Sequence, residues 1–136
     1  MPTLTDAGPM ISLIDGSDHS RLICQSVLRR LERPMVTTWP CYTEAMYFLG
    51  KSLGFPGQKA LWRLRSSGLL ILRDTTTEEA DQMEVLMDKY RDAPMDLADA
   101  SLVVAAQALG VSRVLTLDRH FYAYRFAEGR ALEVVP

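Results

Sequence analysis

The sequence lacks the features by which several common classes of protein are recognised. It has no apolar run near the ~20 residues that a helix needs to cross a bilayer. Its first ten residues, MPTLTDAGPM, have no basic region followed by an apolar block, as a secretory signal would. There is also no glycine-rich phosphate loop, no serine in a nucleophile elbow and no catalytic signature around a cysteine. We therefore expect a cytoplasmic protein without a membrane span and without a covalent nucleophile.

Cysteine and histidine are scarce. Cys24 and Cys41 are the two cysteines, and His19 and His120 are the two histidines. These four residues follow no zinc-ligand spacing, which argues against a zinc site and favours two reduced, mostly buried thiols. The net charge is −2, so the protein as a whole is not a polycation. Any binding of nucleic acid must depend on a local basic face.

Apolar residues, in contrast, are plentiful and regularly spaced. The 136 residues are 48% hydrophobic and 24% charged, which suits a single domain, residues 1–136, with its own core. Short apolar strands alternate with amphipathic helices, a pattern that predicts an α/β fold with a parallel sheet covered on both faces. The predicted strands are 4–5, 35–37, 69–72, 114–116 and 132–135. The predicted helices follow Asp6 and cover 22–31, 40–50, 59–67, 77–90 and 97–109, with a loop at 54–57.

Four acidic residues stand out by where they fall in this pattern. Asp6, Glu44, Asp99 and Asp118 each lie where a strand gives way to a helix or loop, or on the first turns of a helix. In an open parallel sheet these places meet in one crevice at the carboxyl ends of the strands. Carboxylates gathered there repel one another unless a cation is present. The pattern therefore predicts a hard divalent metal bound by oxygen ligands.

Helix capping is an ordinary structural explanation for some of these acids. Asp6 and Asp118 follow strands and suit N-cap or turn positions. Asp96 and Asp99 occupy the N-cap and N3 positions of one helix, an arrangement that resembles a capping box. Thr116 lies two residues before Asp118, so its hydroxyl is expected to reach the same crevice as a ligand or an orienting group.

Capping does not explain Glu44, which we place on the apolar stripe of its helix. Burying a carboxylate costs several kcal/mol unless it is paired or coordinated. Asp99 likewise shares a helix face with apolar residues. A solvated glutamate at the edge of the stripe remains the alternative for Glu44. The stripe consists of Cys41, Ala45, Phe48 and Leu49.

Several segments together resemble a known family. They are TDAGP at 5–9, the helix-borne Glu44, MDLADASL at 95–102 and TLDRHF at 116–121. In order and spacing these segments resemble the PIN-domain ribonucleases, in particular the VapC-type toxins of type II toxin–antitoxin pairs. The residues after Asp6 depart mildly, because many members carry a Thr-Ser or Ser-Ala pair there.

The resemblance implies a three-layer α/β/α sandwich with a five-stranded parallel sheet. It implies endonucleolytic cleavage of RNA by metal-activated water, with Mg²⁺ or Mn²⁺ as cofactor. Asp6, Glu44, Asp99 and Asp118 match the acidic catalytic quartet of the family, with Asp6, Asp99 and Asp118 as metal ligands. Asp96 matches an additional acid that supports the site in part of the family. A homodimer and a cognate antitoxin are the partners that the resemblance implies.

An acidic metal pocket repels RNA, so a basic rim is expected around it. One group of candidates lies on the helix that ends near Gly68, and a second lies beside Asp118. Solvated helix faces and scattered arginines are the alternative explanation. The candidates for RNA contact are Lys59, Arg63 and Arg65, then Arg119 and His120, with Arg73 and Arg125 nearby and Trp62 and Tyr122 as possible stacking residues.

Two other functions compete with a nuclease. One is a PIN-like domain with weak or lost catalysis that acts as an RNA- or protein-binding module; the intact quartet argues against it. The other is a receiver-like phospho-acceptor domain, which also gathers acids on a parallel sheet. A receiver should show paired acids after the first strand and a lysine after the last central strand, whereas Asp6 stands alone and Arg119 follows Asp118.

Overall fold

The computed structural model describes residues 2–16, 21–29, 34–126 and 128–136, with the backbone alone at Arg21, Cys24, Val27 and Leu28. Three predictions from the sequence concern residues or side chains outside these ranges. The predicted end of the second helix at residue 31, His19 and the thiol of Cys24 lie outside the described residues.

The strands form one five-stranded sheet, and every neighbouring pair is parallel. Their order across the sheet is β3-β2-β1-β4-β5, which places β1 at the centre. Leu4 of β1 pairs with Val36 of β2 on one side and with Val114 of β4 on the other. The predicted strands are confirmed to within one residue at each end. Their bounds are β1 Thr3–Thr5, β2 Met35–Thr38, β3 Leu70–Arg73, β4 Arg113–Leu115 and β5 Glu133–Val135.

Helices cover both faces of this sheet. Parallel strands are joined by right-handed crossovers, and the chain passes from β1 to β2 to β3 in one direction before it crosses back to β4. The helices of the first two connections therefore lie on one face, and those of the return connection lie on the other. The predicted α/β/α sandwich is confirmed. The helices are α1 Ala7–Ile14, α2 Arg21–Leu28, α3 Trp39–Leu53, α4 Phe55–Ser66, α5 Thr77–Lys89 and α6 Leu97–Leu109, followed by a 3₁₀ helix Arg119–Tyr122.

The sheet order excludes one of the competing folds. Receiver-like domains share the flavodoxin-like order 2-1-3-4-5, whereas the order here is 3-2-1-4-5. Within the described ranges, no helix is long and apolar enough to span a bilayer.

The predicted loop at 54–57 is wrong, because α3 and α4 form a tight helical hairpin. Helix α3 does not end near Gly50 but continues to Leu53. The next residue, Gly54, adopts φ +71° and ends the helix. Pro56 then lies in the first turn of α4, where its missing N–H costs nothing. A Cβ atom at Gly57 would lie 2.8 Å from Leu53 Cβ, and one at Gly50 would lie 2.5 Å from the side-chain nitrogen of Gln58. These two glycines let the helices approach closely rather than breaking them.

Helix α6 is the most deeply buried helix in the described part of the chain. Its residues from Ala98 to Ala106 are all buried, and it packs on α3 and α5 and on the central strands. The small side chains of this run allow that close packing. Gly110, with φ +66°, ends the helix as the sequence predicts. Asp99 therefore lies on a buried helix in the centre of the molecule.

Candidate active site

Asp6 lies directly after the central strand β1 and caps helix α1. Its Oδ1 accepts a hydrogen bond of 2.8 Å from the backbone N–H of Ala7, and its Oδ2 accepts one of 2.8 Å from the hydroxyl of Thr116. The residue is only 8% exposed. Asp6 is therefore an N-cap, but it also has a buried partner, Thr116, which directly follows β4 and lies 110 residues away in the sequence.

Thr116 connects two of the predicted ligands. Its hydroxyl donates to Asp6 and accepts a 3.0 Å hydrogen bond from the backbone N–H of Asp118. Asp118 in turn caps the 3₁₀ helix, because its Oδ1 accepts from the backbone N–H of His120 at 2.9 Å. The imidazole Nδ1 of His120 lies 2.8 Å from the same oxygen. The chain Asp6–Thr116–Asp118–His120 thus fixes both carboxylates relative to the sheet edge.

Asp99 and Asp96 form the capping box that the sequence predicts at the start of α6. Asp96 Oδ1 accepts from the N–H of Asp99 at 2.8 Å, and Asp99 Oδ2 accepts from the N–H of Asp96 at 3.2 Å. Asp96 is exposed, whereas Asp99 is only 6% exposed. Capping therefore explains Asp96 well, but it leaves the burial of Asp99 to be explained.

Tyr124 is a contact of the site that the sequence reasoning missed. Its hydroxyl donates to Asp99 Oδ2 at 3.3 Å, and the residue is fully buried. Its ring packs edge-on against Phe121, with centroids 5.1 Å apart, and against Tyr90, with centroids 5.2 Å apart. No local signal in the sequence reveals this contact, because it depends on how the segment after β4 folds over α5 and α6.

Glu44 lies on α3 at the edge of the site and is half-buried. The apolar stripe beneath it is only partly as predicted: Cys41, Ala45 and Leu49 are fully buried, but Phe48 is 47% exposed. Phe48 lies three residues after Ala45, beyond the side of the helix that faces the core. Glu44 therefore lies at the edge of the apolar stripe, which is the alternative that the sequence left open. Burying its carboxylate costs less than burying that of Asp99.

The acidic residues act on one another electrostatically. Burial raises the pKa of Asp6, and the nearby charge of Asp118 raises it further. Burial also raises the pKa of Glu44, with contributions from Asp6, Asp96 and Asp118. The pKa of Asp99 is raised to about 7, first by burial and then by the charges of Asp96, Asp6 and Asp118, against the hydrogen bond from the backbone of Asp96. The structure thus brings the whole quartet and Asp96 into one repulsive field.

Cys41 forms the floor beneath Asp6. It is a buried free thiol, as the sequence predicts. Its Sγ lies 3.7 Å from Asp6 Oδ1 and 3.6 Å from the carbonyl oxygen of Ala98. Burial and the negative charge of Asp6 raise the pKa of this thiol well above its usual value. A thiol held in its neutral form is a poor nucleophile, so Cys41 is a packing residue and a weak donor to Asp6.

The chemistry of the donors fits a hard divalent cation. All of the facing groups are carboxylates, and two of their oxygens, Asp99 Oδ1 and Asp118 Oδ2, accept no hydrogen bond from the described residues. As placed, no three His, Cys, Asp or Glu side chains of the described ranges lie close enough together to hold an ion directly. Mg²⁺ usually retains several waters and takes only one or two carboxylates, so it does not require such a tight cluster.

The two groups of predicted RNA contacts differ in their relation to the acids. Arg119 and His120 directly follow Asp118 and are exposed at the rim of the site. Lys59, Arg63 and Arg65 are exposed on α4. In the described part of the chain, no hydrogen bond or ion pair links those three to the quartet. Lys59 and Arg63 share a face of α4, because they are four residues apart, whereas Arg65 projects from another side.

Two further arginines of the predicted basic rim form hydrogen bonds within the fold. The guanidinium of Arg73 donates to both carboxylate oxygens of the buried Glu79, at 3.1 and 2.6 Å. That contact lowers the pKa of Glu79 and joins the end of β3 to the start of α5. The guanidinium of Arg125 donates to the carbonyl oxygens of Tyr122 and Tyr124, at 2.7 and 2.8 Å. Both arginines hold the fold together rather than standing free for RNA.

Comparisons with known proteins agree with this geometry. No family model matches the chain. The chain is 25% identical to ribonuclease VapC26 of Mycobacterium tuberculosis over 134 residues, which is 98% of this chain and 99% of the relative. Among solved structures, VapC20 of Mycobacterium tuberculosis, described as a toxin that cleaves the sarcin–ricin loop, superposes with a TM-score of 0.84 at 15% identity, over 93% of this chain and 97% of VapC20.

Two solved toxin–antitoxin assemblies have the same fold. A toxin–antitoxin complex from Klebsiella pneumoniae matches with a TM-score of 0.71 at 18% identity, covering 98% of this chain and 96% of that one. VapBC2 of Rickettsia felis, solved with a DNA fragment from its promoter, matches with a TM-score of 0.68 at 14% identity, over the full length of both chains. The chain therefore has the fold of these VapC structures, with its acidic residues at the carboxyl ends of the central strands. In sequence the chain is similar to a VapC ribonuclease over nearly the full length of both proteins, in agreement with the resemblance seen in its motifs.

Proposed function

We propose that this protein is an endoribonuclease that depends on Mg²⁺ or Mn²⁺ and serves as the toxin of a toxin–antitoxin pair. The observation that carries the proposal is the gathering of acidic side chains in one crevice, where burial first and neighbouring acids second raise the pKa of Asp6, Glu44 and Asp99. A protein gains nothing in stability from such an arrangement, whereas a bound cation would relieve it. The ribonuclease and toxin relatives support the choice of RNA as the substrate.

In this proposal Asp6, Asp99 and Asp118 hold the metal, and Glu44 stands beside them. The chemistry that such an ion supplies, when bound, is the acidification of a water and the stabilisation of charge on the phosphate. The chain's own residues orient the carboxylates: Thr116 fixes Asp6 and Asp118, and the backbone of Asp96 holds Asp99. No protein nucleophile is required, which agrees with the neutral thiol of Cys41.

The proposed substrate and location follow from the same site. Phosphates entering an acidic crevice need cations at its rim, and Arg119 supplies one next to Asp118, with the His120 ring beside it. Lys59, Arg63 and Arg65 on α4 remain proposed contacts for more distant parts of the RNA. A ribonuclease of this kind would act in the cytoplasm, where its substrate is found.

The proposed protein partners are a cognate antitoxin and a second copy of the chain. An open, mostly apolar groove of about 670 Å³ runs between the first turns of α3 and α6, beside Glu44 and Asp96. An apolar antitoxin segment that carries a cation would suit its composition. The remaining lining residues of this α3–α6 groove are Trp39, Pro40, Thr43, Tyr47, Leu97 and Ala98. Light scattering on the isolated chain would test the homodimer.

A nuclease assay on the purified protein separates the proposal from its main competitor. We expect single-stranded RNA to be cut with Mg²⁺ or Mn²⁺ and to remain intact in EDTA, with cleavage restored by excess metal. A protein that binds the same RNA with equal affinity in both buffers but never cuts it would instead be a binding module. The Asp6→Asn protein, expressed and purified in parallel by the same procedure, is the control for contaminating ribonucleases. Any cleavage by that sample comes from an impurity.

The hydroxyl of Thr116 offers a second test of the site. Thr116→Val keeps the shape of the side chain but removes both hydrogen bonds that position Asp6 and Asp118. We expect a loss of about 10–100-fold in cleavage rate, as is typical when a partner of a metal-binding carboxylate is removed. Thr116→Ser retains the hydroxyl and should recover most of that loss. Equal rates for the Val and Ser variants would show that the hydroxyl has no part in catalysis.

A further inference from the structure

A second cavity opens on the other side of the acids from the α3–α6 groove. It measures about 340 Å³ and lies at the carboxyl ends of β4 and β5. Asp118 forms part of its wall, so the cavity is continuous with the proposed catalytic site. A volume of this size is at the lower end of the range for ligand clefts and suits one small unit rather than a long segment. Its lining residues are Thr116, Leu117, Asp118, Arg119, Tyr122, Val134 and Pro136.

The cavity combines a cation, an aromatic ring and an apolar wall. The side chain of Arg119 makes no ion pair or hydrogen bond with the described residues, so its guanidinium is available to an anion. Tyr122 is 59% exposed, although Phe121 and Tyr124 on either side are buried. Leu117 and Val134 add apolar surface to the same lining. A phosphate and a planar ring are the two groups that such a wall recognises.

Charge distinguishes this cavity from the α3–α6 groove. The α3–α6 groove is lined by Glu44 and Asp96 and by no basic side chain. A polyanion would be repelled there, because both Glu44 and the exposed Asp96 are acidic. The cavity beside β5 has one carboxylate, Asp118, and one cation, Arg119. RNA that reaches the acids therefore leaves them more favourably on the β4–β5 side.

We propose that this cavity is the binding site for the nucleotide next to the cleaved phosphate, with its base stacked on Tyr122 and its phosphate paired with Arg119. This inference rests on the proposed ribonuclease function and adds where the RNA lies and which residues select the flanking base. Stacking on an aromatic ring accepts any base but favours purines through their larger surface. Leu117 and Val134 are part of the lining, and the volume of about 340 Å³ suits one nucleotide.

The binding test uses the Asp6→Asn protein, which should not cut RNA, and the four nucleoside 5′-monophosphates as probes. Nuclear magnetic resonance of labelled tyrosine rings reports which tyrosine each probe contacts. We expect saturable shifts of the Tyr122 ring, and binding that is weakened about 10-fold by Tyr122→Ala, as loss of one base–aromatic stack predicts. Arg119→Ala should weaken it similarly, whereas Tyr122→Phe keeps the ring and should change it less than twofold.

Two controls separate stacking from a general loss of aromatic or basic surface. Phe55 is 65% exposed at the start of α4, away from the β4–β5 side, so Phe55→Ala should leave nucleotide binding unchanged. Arg91→Ala removes an exposed cation in the turn after α5 and should also have no effect on the monophosphates. If the Tyr122 ring does not respond to any probe, the cavity does not bind a nucleotide and the proposal is wrong; a surface for a protein partner would then be the better explanation.

A cleavage test on otherwise wild-type protein keeps this inference separate from the proposed function. We expect Tyr122→Ala to raise the KM for an RNA pool about 10-fold and to broaden the base distribution next to the cut, while Tyr122→Phe preserves both. If the wild type does not cut RNA at all, the proposed function fails. If the wild type cuts and Tyr122→Ala cuts the same sites with the same KM, the function stands and the nucleotide cavity is disproved.

Discussion

Changing Asp99 or Asp6 to asparagine should abolish RNA cleavage while the protein remains folded. Each carboxylate is a proposed metal ligand. Removing a residue that only hydrogen-bonds to such a ligand typically lowers activity by about 10–100-fold. We therefore expect that removing the ligand itself lowers the cleavage rate by at least about 100-fold. Asparagine keeps an oxygen that accepts the backbone hydrogen bonds of Ala7 or Asp96. Removal of one negative charge also relieves the repulsion among the remaining acids.

The comparison needs a rate and a fold measurement on the same samples. Initial rates with Mg²⁺ and thermal unfolding in EDTA are measured for wild type, Asp6→Asn, Asp99→Asn and Asp92→Asn. Asp92 lies exposed in the turn after α5, so its replacement controls for the loss of a carboxylate elsewhere. If the Asp99 variant cuts RNA at the wild-type rate, Asp99 is not a ligand. A variant that loses both activity and cooperative unfolding would show a structural role instead.

The sequence predicted the sheet and the acidic residues because both depend on local signals. Short β-branched and leucine-rich runs mark the strands, and capping patterns mark the helix starts at Asp6 and Asp96. The convergence of the acids then follows from a general property of parallel sheets rather than from any detail of this chain. Helix α6 was predicted with its observed bounds, Leu97–Leu109, because a capping box and a terminal glycine fix both of its ends.

The features that the sequence did not reveal depend on how separate helices and strands pack against one another. Nothing near Tyr124 indicates that its hydroxyl reaches Asp99, and nothing near Arg73 indicates that Glu79 will pair with it. Both arise only when separate elements pack together. The error at 54–57 has the same origin, because glycine and proline next to each other usually mark a loop. Here Gly57 is required by the close approach of α3 to α4.

The stability of the metal-free protein should fall as the pH rises from 5 to 8. The pKa of Asp99 is raised from 3.8 in the unfolded chain to about 7 in the folded protein. Below pH 3.8 the carboxyl is protonated in both states and has no effect on stability. Between these values only the unfolded chain has lost the proton, so the free energy of unfolding decreases with rising pH. Above about pH 7 the full cost is present, at most about 4 kcal/mol by the linkage relation.

Thermal unfolding in EDTA between pH 5 and 8 measures this effect. The part of this cost that develops between pH 5 and 7 is at most about 2.7 kcal/mol, and it should lower the melting temperature by about 5–10 °C. Asp99→Asn should reduce the dependence without removing it, because the raised pKa values of Asp6 and Glu44 act in the same direction. Asp92→Asn should leave it as in wild type. Glu79 does not interfere, because its lowered pKa affects stability only as the pH falls below about 4.5. If the Asp99 variant keeps the wild-type slope, the buried carboxylate is not the group that titrates.

The same experiment with Mg²⁺ links the electrostatic cost to function. An ion that binds only the folded protein stabilises it in proportion to the logarithm of its concentration, and it competes with protons for the carboxylates. We therefore expect added Mg²⁺ to raise the melting temperature of wild type more at pH 8 than at pH 5, and to raise that of Asp99→Asn little at either pH. An equal rise for both proteins would place the metal away from Asp99. The repulsion that destabilises the metal-free site would then have no connection with metal binding.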